Sequence, residues 1–432
     1  MTRRGRITLS VTAAGLVCFA LLYAPQPLLP QFAAEFGLTP GSASLTISVA
    51  TGALALVVIP IAALSEVVGR RRVIIGAVLA AAVIGLLLPF APSYPVLIGL
   101  RALQGVAVAG MPAVAMAYLA EEMGTAGVGA AIGAMVAGNS VGGMSGRLLT
   151  GISVEWLDWR GALGVVGVFS AVCAIVVAVC LPRERGAPAK APRGLRAALS
   201  DRVLLAQYAI AALAVSAFIS LYNVINFRLS APPLALPPSL ASLVFLAYAA
   251  GGVCSAVAGR VADRLGRAPV LLCCLGVAAT GALLTLPDSL IAVAVGMALF
   301  TGGFFAAHAV ASGWVGARAP AHAKGQASGT YLCAFYVGSS LGGTAGSTAF
   351  GTWGWGGLVA VVVGWFALAA VAVVLAVAAQ KSSGTAIAPS TGPTATEPTC
   401  GSVTVPAASP AVIASTSAGT STTTALGNTP PS

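Results

Sequence analysis

The chain has 432 residues, 58% of them hydrophobic and 8% charged, against about a quarter charged in a typical soluble domain. That balance excludes an ordinary water-soluble globule. The formal charge of +11 would suit nucleic acid, but the basic residues do not gather into one soluble patch; they fall in the breaks between apolar runs.

Apolar stretches near or above the ~20 residues needed to cross hydrocarbon recur twelve times. The first six cover roughly 7–30, 42–64, 73–91, 95–119, 127–150 and 161–181, and the second six roughly 204–228, 240–261, 268–287, 289–314, 325–349 and 357–379. The pattern predicts an all-α membrane protein of twelve transmembrane helices in two pseudo-symmetric six-helix bundles. Its parts are an N-terminal bundle (1–181), a cytoplasmic linker (182–203), a C-terminal bundle (204–379) and a disordered Thr/Ser/Pro/Ala-rich cytoplasmic tail (380–432). The basic start, Arg3, Arg4 and Arg6, precedes a run too long and too rich in proline for a cleaved signal, so it is expected to stay as span 1. The eight cysteines show no metal spacing and no disulfide framework.

Polar residues inside the spans are costly and therefore informative. Span 1 ends in Tyr23-Ala24-Pro25-Gln26-Pro27, where prolines expose backbone groups; Tyr23 and Gln26 are candidate cavity residues, with an interfacial tyrosine the alternative. Span 4 carries Arg101 and Gln104, the arginine about six residues, or ~9 Å, inside the outer end. Such a guanidinium must snorkel, pair or face a watery cavity. Span 5 holds Gly138, Asn139, Gly142 and Gly143, and then Arg147, which either lines a cavity or anchors at the interface. Span 7 holds Asn223 and Asn226, read as cavity residues or as helix-helix hydrogen bonds. His308 in span 10 can titrate between pH 5 and 8 or serve only in packing. Tyr331 and Tyr336 in span 11 complete the candidate cavity set. No acidic residue falls in mid-span.

Two internal matches show duplication. Gly259-Arg260-Val261-Ala262-Asp263-Arg264-Leu265-Gly266-Arg267 echoes Ala62 to Arg70, with Glu66, Gly69 and Arg70 in register 197 residues earlier. The segment Gly138 to Gly146 echoes Gly338 to Gly346 at an offset of 200. Parallel repeats of six helices are the plan of one large class of transporters. With the N-terminus inside, eighteen of the 22 Lys and Arg residues lie in inner loops. That asymmetry puts both termini in the cytoplasm.

With these motifs, residues 7 to 379 resemble the major facilitator superfamily, in particular its twelve-helix bacterial drug and sugar efflux branch of drug:proton antiporters. Glu66, Gly69, Arg70, Asp263, Arg264, Gly266 and Arg267 are similar to that family's loop motif, G-x-x-x-D-R-x-G-R-R. The resemblance implies a conformational latch there; simple topogenic charge is the alternative. The first copy departs from the pattern at Ala62, Glu66 and Val67. Arg101-Ala102-Leu103-Gln104-Gly105 with Gly110 is similar to the span 4 motif, whose arginine the resemblance ties to proton coupling. The span 5 glycines are similar to the antiporter motif, except that Asn139 replaces its proline and removes the reason for a kink.

The expected function is therefore secondary active transport: proton-coupled efflux of a small neutral or anionic organic molecule by alternating access. Arg101, Gln104 and His308 are the coupling candidates. The absence of a mid-membrane carboxylate speaks against cationic substrates. A proton symporter or facilitator importing a nutrient is the alternative, and a membrane-embedded enzyme a more distant one, since no nucleophile cluster, P-loop or metal site is visible. Expected partners are the substrate, protons and the lipid bilayer, with no cofactor, no metal and no nucleic acid, in a monomer of the bacterial inner membrane.

Overall fold

The computed structural model describes residues 1–123, 127–185 and 194–382. Part of the expected linker and nearly all of the expected tail lie outside the described residues. The chain forms α1 (Arg3–Tyr23), α2 (Leu29–Phe36), α3 (Pro40–Val68), α4 (Arg70–Leu87), α5 (Tyr94–Val108), α6 (Pro112–Met123), α7 (Val128–Cys180), α8 (Leu195–Ser200), α9 (Arg202–Ser230), α10 (Pro238–Ser242), α11 (Tyr248–Leu265), α12 (Arg267–Leu283), α13 (Leu290–Arg318) and α14 (Lys324–Ser382). Among the described residues there is no strand. Helix is what an apolar chain must form in lipid, where each backbone group needs an internal partner.

α7 and α14 are each two spans. α7 reverses at Asp158, whose backbone (φ 55°) is non-helical and whose Oδ1 accepts from Arg160 N at 2.6 Å and Gly161 N at 3.0 Å, capping the returning helix. α14 reverses at Gly354 (φ 67°). The expected gaps of several residues between these spans are thus single-residue turns, because the helices run on beyond the apolar segment. Span 4 is the opposite case: it breaks into α5 and α6 ahead of Pro112, which has no N–H to continue the ladder. Span 8 is also broken, by a 3₁₀ stretch over Leu243–Ala247 between α10 and α11.

The two basic turns adopt one shape. Gly69 has φ 102° and Gly266 φ 89°, a region that side chains avoid and glycine tolerates. The turns lie at one end of the molecule, here the basic face, together with the N-terminus.

Backbone approach shows the twofold plan at atomic level. In the first bundle Gly138, Gly142 and Gly146 of α7 lie on α1. A Cβ on each would sit 2.3, 2.4 and 2.5 Å from the carbonyl oxygens of Thr12, Leu16 and Ala20. In the second bundle Gly338, Gly342 and Gly346 of α14 lie on Ala212, Ser216 and Ser220 of α9. Every one of the six positions is displaced by 200 residues. Small residues let backbones approach, which is what holds helices together when lipid removes the hydrophobic incentive. In the second bundle Ser216 and Ser220 also donate to the carbonyls of Gly338 (3.0 Å) and Gly342 (2.7 Å).

The bundles meet along α3 with the first half of α14, and along the end of α7's first span with α10. Cross-bundle hydrogen bonds run from Ser340 Oγ to Ser48 O (2.7 Å), Thr344 Oγ1 to Ser48 Oγ (2.7 Å), Ser239 N to Glu155 Oε1 (3.0 Å), Asn226 Nδ2 to Pro27 O (3.3 Å) and Gln26 Nε2 to Asn223 Oδ1 (2.7 Å). All of these belong to the half of the molecule away from the basic face; one weaker contact, from Cys333 Sγ to Ala55 O (3.5 Å), lies nearer to it. Toward the basic face, Gly129 and Gly133 of α7, Gly252 and Gly259 of α11, and Gly325 and Gly329 of α14 have nothing within 4 Å of a built Cβ. Among the described residues the hydrogen bonds between the bundles therefore concentrate toward one end.

This packing sorts the glycines by consequence. Gly142→Val and Gly342→Val should each lower the thermal unfolding midpoint of detergent-purified protein sharply or prevent its accumulation. Gly133→Val, which faces open space, should leave the midpoint unchanged.

Candidate functional site

The site grows from the prolines of span 1. Pro25 has no N–H to give to the carbonyl of Leu21, its helical acceptor four residues back. α1 stops at Tyr23, and the chain continues as a 3₁₀ turn over Gln26–Leu28. The freed carbonyls are taken by Arg101. Its Nη1 donates to Leu21 O (3.0 Å) and to Gln104 Oε1, its Nη2 to Leu22 O (2.5 Å), and its Nε to Thr46 O of α3 (2.7 Å). Gln104 Nε2 extends the network to Ala81 O of α4 (3.3 Å). Arg101 is fully buried, and every nitrogen of its guanidinium has an acceptor. It ties spans 1, 2, 3 and 4 together around the broken end of α1.

Arg147, expected near the outer end of its span, is instead fully buried inside the protein, which removes the reading as an interfacial anchor. Nη1 donates to Gly143 O (2.8 Å), one turn back, and Nε to Gln26 Oε1 (2.5 Å). Its guanidinium carbon lies 4.3 Å from the Tyr23 ring centre, 4.5 Å from that of Tyr248 and 5.2 Å from that of Phe245. Gly143 makes room, since a Cβ there would come within 3.1 Å of Nη1. Phe245 and Tyr248 reach the cation from the other bundle because the 3₁₀ stretch in span 8 brings positions i and i+3 onto one side. Nη2 is buried without a well-formed hydrogen bond of its own, and the neutral Tyr248 phenol is the group's remaining polar neighbour, within side-chain hydrogen-bond reach of it.

Gln26 joins Arg147 to Asn223 of α9. Asn223 and Asn226 are buried, and Asn223 Nδ2 and Asn226 Oδ1 have no partner. The repeat explains the arrangement: Tyr23 and Gln26 correspond to Asn223 and Asn226, and Gly143 and Arg147 to Gly343 and Ser347, all 200 residues apart. A Cβ on Gly343 would lie 2.9 Å from Asn223 Nδ2, as one on Gly143 would meet Arg147. The site thus lies on the pseudo-twofold axis, with its charge on one side alone. Tyr336 is buried beside it, its ring against Phe335.

His308 and Tyr331 form a separate group. Tyr331 OH lies 3.0 Å from His308 Nδ1, the imidazole packs on Phe304 and Phe335, and both side chains line a small cavity between α9, α13 and α14 with Ile210, Ala214 and Ala307. Asn139 lies within an unbroken helix, its Oδ1 buried against Gly15 without a partner, so span 5 has no kink there.

At the basic face, Arg70 is clamped by Glu121 of α6, with Nε 2.8 Å from both carboxylate oxygens, and by Ser65 Oγ (3.0 Å). The Arg71 backbone N–H, at the start of α4, donates to Glu184, and Arg3 pairs with Glu122 at 2.5 Å. The carboxylates that hold the first turn therefore include Glu121 and Glu184, neither of them among the expected residues. In the second turn Asp263, Arg264 and Gly266 are exposed, and Asp263 and Arg264 form no ion pair among the described residues. The other missed residues are Phe245 and Tyr248, whose i, i+3 spacing at the head of span 8 was the available signal.

The Major Facilitator Superfamily model matches residues 11–249 and 213–431. The chain is 39% identical over 363 residues to the uncharacterized MFS-type transporter YybF of Bacillus subtilis (strain 168), covering 83% of this chain and 90% of that protein. It is 39% identical over 359 residues to the inner membrane transport protein YnfM of Escherichia coli (strain K12), covering 82% and 86%. Among solved structures, a bacterial homologue of the human lysosomal transporter Spinster, in an inward-facing and occupied conformation, superposes with a TM-score of 0.73 at 16% identity over 88% of this chain and 97% of that one. With twelve spans in two bundles and these matches, the chain belongs to the major facilitator superfamily and is a multi-pass membrane transporter of a small molecule, not an enzyme.

Proposed function

We propose that the protein is a proton-coupled exporter of a small neutral or anionic organic molecule, related to the drug and sugar efflux branch and working by alternating access. The observation that carries this reading is the distribution of cross-bundle hydrogen bonds, which concentrate at the central polar site and away from the basic face, with only the weak Cys333–Ala55 contact nearer to it. A carrier that rocks about such a site exposes it to each face in turn.

Orientation follows from charge. The basic face carries Arg3, Arg70, Arg71, Arg183, Arg185, Arg264 and Arg267, whereas at the opposite end Arg160 pairs with Glu35 (2.9 Å) and Arg228 with Asp288 (2.9 Å). The positive-inside rule makes the basic face cytoplasmic, with both termini inside a bacterial inner membrane. When that side closes, Asp263, Arg264 and Arg267 act as the latch, with Glu66, Gly69 and Arg70 at the corresponding turn of the first bundle. One chain holds the complete path, so a monomer suffices.

In this scheme Arg101 couples by position. A guanidinium does not deprotonate in a protein, and each of its nitrogens is hydrogen-bonded; it keeps the broken end of α1 in register with α3 and α5. His308, with Tyr331 as its hydrogen-bond partner, is the candidate within a span to carry the proton itself.

Two outcomes test the proposal. In everted membrane vesicles with an acidified interior, a transported compound should enter against its gradient and dissipate the pH difference. Uptake indifferent to pH would remove proton coupling, and uptake only when the proton and substrate gradients run in the same direction would favour the import symporter instead. His308→Asn should leave substrate exchange intact and abolish pH-driven accumulation; full pH-driven accumulation in that variant would exclude His308 as the carrier. Arg101→Ala strands the acceptors at Leu21, Leu22, Thr46 and Gln104, at about 1–3 kcal/mol for each buried group left unpaired. It should abolish pH-driven transport, and Arg101→Lys, with its single ammonium, should restore insertion better than coupling.

A further inference from the structure

Two arginines are fully buried within the spans, and the difference between them is chemical. Arg101 has an acceptor on every nitrogen. Arg147 has no carboxylate beside it, aromatic rings where a counter-ion would be, and the neutral Tyr248 phenol as its remaining polar neighbour. The rings attract the cation when it is desolvated and hold it in place, yet they do not neutralise it.

We propose that Arg147 and Asn223 together bind the carboxylate of the transported molecule, which makes the substrate an organic monoanion. This rests on the carrier reading above. One carboxylate oxygen takes Arg147 Nη2 from the first bundle, and the other takes Asn223 Nδ2 from the second. Both donors are buried and lack a charged partner, and both side chains adjoin Gln26, whose amide joins them through bonds of 2.5 and 2.7 Å. Charge-assisted bonds of this kind are the strong ones. A single negative charge cancels the single uncompensated cation, whereas a dianion would leave a net charge within hydrocarbon. Asn226 Oδ1, buried and unbonded a turn further along α9, is an acceptor for a hydroxyl on the same molecule. Because the two donors come from opposite bundles, the ligand bridges the pseudo-twofold axis and draws the halves together around itself.

The test uses detergent-purified full-length protein and three probes: benzoate, mandelate, which adds a hydroxyl, and the neutral mandelamide. Benzoate and mandelate should raise the thermal unfolding midpoint saturably, mandelate at the lower concentration, and mandelamide should not. Arg147→Gln should weaken the response roughly 10- to 100-fold, the loss expected for a hydrogen bond to a charged group. Should that variant fail to accumulate, Asn223→Asp serves instead: an internal carboxylate beside the Gln26 bridge should raise the ligand-free midpoint and cancel the response to mandelate. The assignment is overturned if neither acid stabilises the wild type, if mandelamide matches mandelate, or if Arg147→Gln responds as the wild type does. Exchange in proteoliposomes separates the two readings. Binding of mandelate through Arg147 without any exchange across the bilayer would overturn the carrier and leave the anion site. Saturable exchange of mandelamide with indifference to mandelate would do the reverse.

Discussion

A charge placed in hydrocarbon has no water to turn to, and this protein buries two guanidinium groups in its membrane spans. The rest of the structure arranges itself around how each is satisfied. Arg101 is solvated by carbonyls that the prolines of span 1 set free, so a break that would weaken an isolated helix becomes the fitting for a neighbouring cation. Removing either partner alone strands the other. Arg147 is held by Gly143, Gln26 and aromatic rings from both bundles, with no carboxylate beside it. One arginine is a fastening; the other is a cation without a counter-ion.

Duplication explains why such a site can exist on the axis. The glycine stripes on α7 and α14 meet α1 and α9 at positions displaced by 200 residues, so the two bundles are built by one packing rule. Symmetric scaffolds place equivalent positions opposite each other, and divergence then supplies chemistry. Tyr23 and Gln26 face their counterparts Asn223 and Asn226, and Arg147 has only Ser347 as its equivalent. The basic turns diverged as well. The first is tied down by Glu121 and Glu184, while the second stands exposed at the basic face.

Much of the fold was legible in the sequence because hydropathy, charge asymmetry and repeats are written locally. Twelve spans and the duplicated turns at Gly69 and Gly266 follow from residue type and spacing, and Arg101, Gln26 and Asn223 stood out as polar residues within apolar spans. What was not legible depends on distant partners. Arg147 read equally well as an interfacial anchor, because its depth is set by α7 running on to residue 157 beyond the apolar stretch. Phe245 and Tyr248 look like ordinary lipid-facing aromatics until a 3₁₀ turn directs them at a cation on the other bundle. Glu121 and Glu184 lie 51 and 114 residues from Arg70, and no spacing rule connects them.

Alternating access requires the bundles to rock about the polar axis, so that the basic face closes as the opposite end opens. Pulsed electron-spin distance measurements on a background lacking the native cysteines can follow both ends, with one label pair at the exposed Leu64 and Leu265 of the basic turns and another at the exposed Trp156 and Leu240 of the opposite end. In lipid nanodiscs, ligand and pH should shift populations so that the first distance shortens as the second lengthens. Two pairs that stay fixed, or that lengthen and shorten together, would contradict alternating access in this protein.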